Sequence, residues 1–177
     1  MRHVVITGGP GAGKTTLLAA LAARGYATVG ESAREVIATR LALLLPPRPE
    51  PADFAREILR KDDEKYHRSL RSKGPIFYDR SAVEALAMVH EASPFSEIEL
   101  KGKLSGYTFH QKVFVLPPWQ DIYVTDAERD HTFTHAVTVH AQIVRWYTWC
   151  GYQINEVPRL EVGQRVSHVL QALANDA

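Results

Sequence analysis

The ten residues TGGPGAGKTT, 7–16, constrain this chain more than any other stretch. They follow the apolar run HVVI and precede an apolar-periodic segment in which Leu17, Leu18 and Leu21 fall on one side. A short apolar run entering glycines predicts a strand buried on both faces. Within the stretch, Gly8-Gly9-Pro10-Gly11-Ala12-Gly13-Lys14-Thr15 satisfies G-x-x-x-x-G-K-[ST], and strand before with helix after is the context the motif requires. Glycines let backbone N–H groups curl round phosphate oxygens, and the start of the helix adds a favourable dipole. Gly8 to Thr16 are therefore the expected phosphate-binding residues. Lys14 is expected to reach the β- and γ-phosphates, and the Thr15 hydroxyl to coordinate Mg²⁺.

The rest of the chain alternates in the same way. Strands are expected at 26–29, 75–79, 112–116 and 152–157, and helices at 14–24, from Ser32 to about 44, at 52–72, from Ser81, at 94–106, from about 130 to 150, and at 160–174. Ser32 with Glu35, and Ser81 with Glu84, have the spacing of capping boxes. LPPRPEP, 45–51, must break the second helix. Alternating strands and helices predict one α/β domain with a five-stranded parallel sheet and right-handed crossovers. At 177 residues the chain holds one well-buried core and is too short for two comfortable domains.

Composition narrows the partners. With 45% hydrophobic and 23% charged residues the chain reads as an ordinary soluble protein, and a net charge of +1 argues against nucleic acid or a charged membrane surface as its partner. No run approaches the length of a membrane span, and the first apolar run enters a glycine loop rather than a cleavage site. A single cysteine, Cys150, permits no internal disulfide and suits a buried thiol in the reducing cytoplasm.

Asp79 ends the apolar strand PIFYD. Beside a phosphate loop, an aspartate there is the expected second contact to Mg²⁺, usually through water. The same residue type also serves as a turn or helix N-cap. Glu31 follows the second strand and so lies at the carboxyl edge of the sheet, where ligands of open α/β sheets bind. A carboxylate there either orients and deprotonates an attacking hydroxyl or favours the next helix start by charge. Arg34, one turn on, can face the same cleft or pair at the surface.

The order GGPGAGKTTL, GESAREVI, FYDRSAVEALA, LPPWQDIYVTDAERD and INEVPRL resembles a family of small bacterial AAA-labelled P-loop ATPase/kinase proteins. That family is similar to the ribosylnicotinamide kinase domain of the NAD regulator and, more distantly, to the deoxynucleoside kinases. The resemblance covers essentially the whole chain and implies a nucleotide-kinase-like three-layer sandwich with sheet order 2-3-1-4-5. It implies Glu31 as the carboxylate that receives the proton of the acceptor hydroxyl, with Arg34 and Arg80 beside the acceptor. Aspartate at position 79 departs from the glutamate usual in deoxynucleoside kinases. The resemblance further implies residues 31–74 as the acceptor-binding region and 117–131 as a lid-like loop carrying Arg129. Asp121, Asp126 and Asp130 surround Arg129 and offer it salt bridges instead. It also puts the adenine ring near Val157-Pro158-Arg159, with Arg159 stacked on the base, and it favours ATP over GTP.

Two functions follow. One is a kinase moving the γ-phosphoryl of Mg·ATP to a hydroxyl of a small, nucleoside-like acceptor, with Lys14, Glu31, Arg80 and Arg129 catalytic. The other is an NTP-binding switch or slow ATPase acting with a protein or lipid partner. Apolar faces on 82–105 permit a homodimer as well as a monomer. His131 and His135, four apart, lack a third ligand and read as ordinary helix residues. Trp146, Tyr147, Trp149 and Cys150 read as a buried helix face, and the charged 56–73 stretch as a solvated one that also covers the acceptor region.

Overall fold

The computed structural model describes residues 3–123 and 132–175. Arg129, Asp126, Asp130 and His131 lie outside the described residues. Five strands, β1 (His3–Gly8), β2 (Ala27–Val29), β3 (Ile76–Asp79), β4 (Lys112–Leu116) and β5 (Gln153–Glu156), form one parallel sheet in the order β2-β3-β1-β4-β5. All six residues of β1 are buried, as befits the central strand of a sheet covered on both faces.

Side-chain alternation along the strands sorts the core into two layers. Val4, Ile6, Phe77, Phe114 and Leu116 pack with Leu17, Leu18 and Leu21 of α1 (Lys14–Ala23) and with Val166 and Val169 of α7 (Val162–Ala174). Val5, Ile76, Tyr78, Val113 and Val115 point the other way. They meet Tyr66 of α3 (Pro51–Ser69), Val83 of α4 (Ala82–Ala92), and Ile143 and Tyr147 of α6 (Phe133–Trp149). A third, smaller cluster of Val36, Ile58 and Ala85 joins α2 (Ser32–Ala42) to α3 and α4. Among the described residues no helix is long and apolar enough to cross a membrane.

Several local expectations change. Neither expected capping box forms. Glu31, not Ser32, is the N-cap of α2, and no side chain caps it. At α4 the Ser81 hydroxyl accepts from Val83 N, while the Glu84 carboxylate is engaged elsewhere. The reciprocal box belongs instead to Ser96 and Glu99, at the head of α5 (Glu97–Leu104). The face of α6 is only partly core: Tyr147 is fully buried, but Trp149 is 49% exposed. Gly8, with φ 142°, is required by close approach, since a Cβ there would lie 2.5 Å from the Leu116 carbonyl oxygen.

Candidate nucleotide and acceptor site

The carboxyl ends of β1, β2 and β3 bring the named residues together. The loop from Gly8 to Gly13 leaves β1 and turns into α1, whose N-cap Gly13 is left-handed. Pro10 and Gly11 are half-buried, Ala12 is buried in the core, and Thr15 and Thr16 stand exposed in the first turn of α1. Lys14 is buried and folds back, its Nζ donating to the carbonyls of Gly8 and Gly9, each at 3.1 Å. Its ammonium is pushed down to about 8 by burial and by the nearby Arg80 cation. A polyphosphate settling in the loop would restore the charge. Nucleotide binding near pH 8 is therefore expected to take up protons, with affinity falling as pH rises further. Calorimetry in two buffers of different ionisation enthalpy measures this directly; identical apparent heats in both would rule it out.

Glu31, Arg80 and the buried Glu84 form a half-buried chain. Arg80 Nε donates to Glu31 Oε1 at 3.0 Å, and Arg80 Nη1 donates to Glu84 Oε2 at 2.7 Å. Glu84 Oε1 accepts from the Tyr147 hydroxyl at 3.1 Å, which lies 2.7 Å from Ser81 Oγ. Arg34 Nε donates to the second carboxylate oxygen, Glu31 Oε2, at 3.1 Å. Burial would raise the Glu31 carboxyl, but Arg80, Lys14 and Arg34 together hold it below its ordinary value. Burial also works against the charge of Arg80, yet Glu84 and Glu31 outweigh it and keep the guanidinium fixed as a cation.

Arg80 has a left-handed backbone, φ 66°, an uncommon state for a residue with a Cβ. Its N–H donates to Ile6 O at 3.0 Å, extending the β1–β3 ladder by one bond. The turn thus sends the side chain back across the sheet edge, between the two carboxylates. Strain of about 1–3 kcal/mol is typical of such a residue, and it persists only where its surroundings hold it.

Asp79 is buried, and its Oδ1 has no hydrogen-bond partner among the described residues. Burial raises its carboxyl and Lys14 opposes the rise. An orphaned buried carboxylate oxygen at the end of β3 suits a hydrated Mg²⁺, which asks for one or two protein oxygens, with phosphate and water supplying the rest. The residues present fit that ion: Asp79 would hold it through water, and the exposed Thr15 hydroxyl directly.

On the far side of Glu31 and Arg80 opens a cavity of about 1020 Å³. Glu31, Ser32, Arg80 and Glu84 line its inner end, and Phe95, Trp146 and Trp149 line its aromatic end. The two indoles are stacked, 5.2 Å between centroids and 23° between planes. Position within the helical spacing suggests core for both. Trp146 is packed against the core, its Nε1 donating to the Val83 carbonyl at 2.8 Å, and also lines this opening, whereas Trp149 is half exposed there. α3 reaches the cavity through Ile58 and Asp62, whereas Tyr66 is core and Phe54 packs beside the smaller cluster.

Asp62 is absent from any motif in the sequence. Its Oδ1 accepts from Ser32 Oγ at 2.5 Å, and burial pushes its carboxyl up to about 7, against the help of that hydrogen bond. The native state thus holds this proton more tightly than the unfolded chain does, so stability is expected to fall as pH rises from 3.8 towards about 7. Melting curves of the protein and of Asp62→Asn across that window should diverge with rising pH, the variant gaining. Parallel curves would refute it.

Arg159, the expected base-stacking residue, is exposed and donates from Nε to the Pro118 carbonyl at 2.9 Å. Asp121 accepts from Trp119 Nε1 at 3.1 Å. His135 sits in the first turn of α6, and among the described residues no three of His, Cys, Asp and Glu gather as a metal cluster.

Comparison with known proteins agrees with this geometry. No curated protein matches the sequence significantly. Among solved structures, deoxyadenosine kinase from M. mycoides with bound dATP superposes with a TM-score of 0.67 at 14% identity, over 98% of this chain and 100% of that one. The NadR protein in complex with NR gives 0.74 at 19% identity over 98% of this chain, which spans about half, 51%, of the NadR chain. Thymidylate kinase from Ehrlichia chaffeensis gives 0.61 at 13%, covering 98% and 100%. At such identities the likeness establishes the fold, that of the P-loop nucleotide kinases, with the sheet order expected from the sequence. The profile of an AAA domain family matches residues 3–165, nearly the whole length, and the chain belongs to that family.

Proposed function

We propose that the protein is a kinase that moves the γ-phosphoryl group of Mg·ATP to a hydroxyl of a small, nucleoside-like molecule. The observation that carries this reading is the position of Glu31. Its carboxylate faces Lys14 and Arg80 on the phosphate-loop side and lines the cavity on the other. A hydroxyl entering from the cavity would meet Glu31 before it met the phosphate. The kinase folds reported above, one with bound dATP and one in complex with NR, support a nucleoside-type ligand for this fold.

The cavity favours a flat ring at its outer end. Trp149 and Phe95 offer aromatic surface beside Trp146, and Glu91 offers an acceptor for a ring that carries amino groups. In this reading 1–177 is one kinase-like domain. Its 31–74 segment builds the acceptor side through Glu31, Ser32, Ala33, Ile58 and Asp62, with Arg34 holding Glu31 in place. The lid-like role expected of 117–131 rests on Arg129, which lies outside the described residues.

A carboxylate held as acidic as Glu31 is a weak acceptor for a full proton. Its work is to orient the hydroxyl and take the proton late, as a loose phosphoryl-transfer transition state allows. Asp79, through water, and Thr15 would hold a Mg²⁺ that offsets the charge of the phosphates. Arg80, fixed as a cation between two carboxylates, would stabilise charge on the transferring group.

The test is mass spectrometry of a nucleoside and metabolite mixture incubated with the pure protein and Mg·ATP, beside a Glu31→Gln control. A product heavier by one phosphoryl group, missing with the control, identifies both activity and acceptor. ATP consumed equally by both proteins without a phosphorylated product would replace this reading with the ATPase or switch.

A further inference from the structure

Arg165, in the first turn of α7, has no place in the scheme above, yet it is the least satisfied cation in the described structure. It is 6% exposed, and its Nε and Nη1 are buried without a hydrogen-bond partner among the described residues. Its guanidinium carbon lies 5.6 Å from the centre of the Trp119 ring. Nη1 lies 2.8 Å from the point where a Cβ on Gly13 would stand. Gly13 is the N-cap of α1 and the residue before Lys14. The unused N–H groups of Arg165 are therefore buried against the anion-binding end of the phosphate loop. Glu161, one turn back on α7, acts on it through space.

A buried guanidinium without hydrogen bonds is costly and persists where a ligand completes it. The surroundings say what kind. The aromatic face of Trp119 takes up the guanidinium plane as a cation–π contact, which leaves the N–H groups for an acceptor. The adjoining Gly13 and the start of α1 are built for phosphate. A planar fork of donors suits a phosphate better than a base edge. Resting on the reading of this loop as a nucleotide-phosphate site, we infer that Arg165 is a second cationic ligand of the donor's polyphosphate chain, supplied by the last helix alongside Lys14. Gly13 then serves two ends: it gives the loop its left-handed turn and leaves room for this side chain.

The proposal makes an unusual pair of demands on one substitution. Arg165→Met keeps much of the stem's packing and removes the charge. Affinity for ADP and for inorganic tripolyphosphate should fall about 10- to 100-fold, the size expected for lost charged hydrogen bonds. Adenosine affinity should not change. The melting temperature of the free variant should hold or rise, because an unpaired buried charge has gone. Arg165→Lys, which keeps a charge without the fork, should recover part of the tripolyphosphate affinity and serves if the Met variant folds poorly. Calorimetric titration with the three ligands, beside thermal melting, reads all of this.

Unchanged ADP and tripolyphosphate affinity with a lowered melting temperature would overturn the proposal and leave Arg165 as a clamp between α7 and Trp119. An equal loss for adenosine would overturn it in favour of a contact to the base. No binding of ADP or tripolyphosphate by the unmodified protein would overturn both the phosphate reading and this role. Failure to phosphorylate any acceptor bears on the kinase reading alone, since these readouts are binding and stability.

Discussion

Replacing Glu31 with Gln should lower phosphoryl transfer by about 10²- to 10⁴-fold, the range expected for a positioned acid–base group, and leave the dissociation constant of ADP nearly unchanged. The substitution keeps the shape of the side chain and an oxygen for Arg80, but removes the charge that orients and deprotonates the hydroxyl. Steady-state rates on the identified acceptor, with ADP binding measured separately, separate the two effects. A loss confined to nucleotide affinity would mean that Glu31 only balances Lys14 and Arg80. A rate within tenfold of the unmodified protein would remove it from the chemistry.

The second large effect is on stability. Glu84→Ala should cost about 1–3 kcal/mol, because Arg80 keeps Glu31 but loses one of its two charged partners and the buried Tyr147 hydroxyl loses an acceptor. At about 2–4 °C per kcal/mol for a chain of this size, the melting temperature should drop by roughly 2–12 °C. Two further groups suffer with Arg80: the Tyr147 hydroxyl loses its acceptor, and the bond from Tyr147 to Ser81 loses its anchor. Glu84→Gln, which still accepts from Tyr147, should lose distinctly less. A shift below about 2 °C for the Ala variant would show that water replaces the carboxylate freely. It would also mean that Arg80 does not depend on this pair for its position.

Glu84 shows where sequence reading falters. Serine followed three residues later by glutamate is the pattern of a capping box, and the same spacing equally serves a carboxylate turned inward to a buried cation. Local sequence does not contain the choice. It is made by Tyr147, 63 residues away, which gives the carboxylate a buried hydroxyl. Arg80 was singled out only by the family resemblance, as the residue after a strand that ends in Asp79. The five strands were legible as short runs between helices and turns, whereas their order 2-3-1-4-5 came from the family resemblance alone.

Asp62 and Arg165 were hidden by their company. Each sits on a helix with other charged or polar residues, where a solvated face is the ordinary outcome, and only packing against another element buries it. The signal available was weak: Asp62 lies one turn from Ile58, on the side of α3 that faces α2 and α4. Trp149 erred the other way. An aromatic at helical spacing reads as core, but Trp149, in the last turn of α6, is half exposed and lines the cavity.

The chain has three tryptophans, and their placement has a practical consequence. Trp119 stands under Arg165 beside the phosphate loop, while Trp146 and Trp149 form the stacked pair at the acceptor end. Ultraviolet emission from the unlabelled protein is thus divided between the two compartments of the site. In a Trp119→Phe background the remaining light comes from the cavity alone, so acceptor entry can be followed in real time without a dye, and the order in which the two ligands arrive becomes an optical measurement.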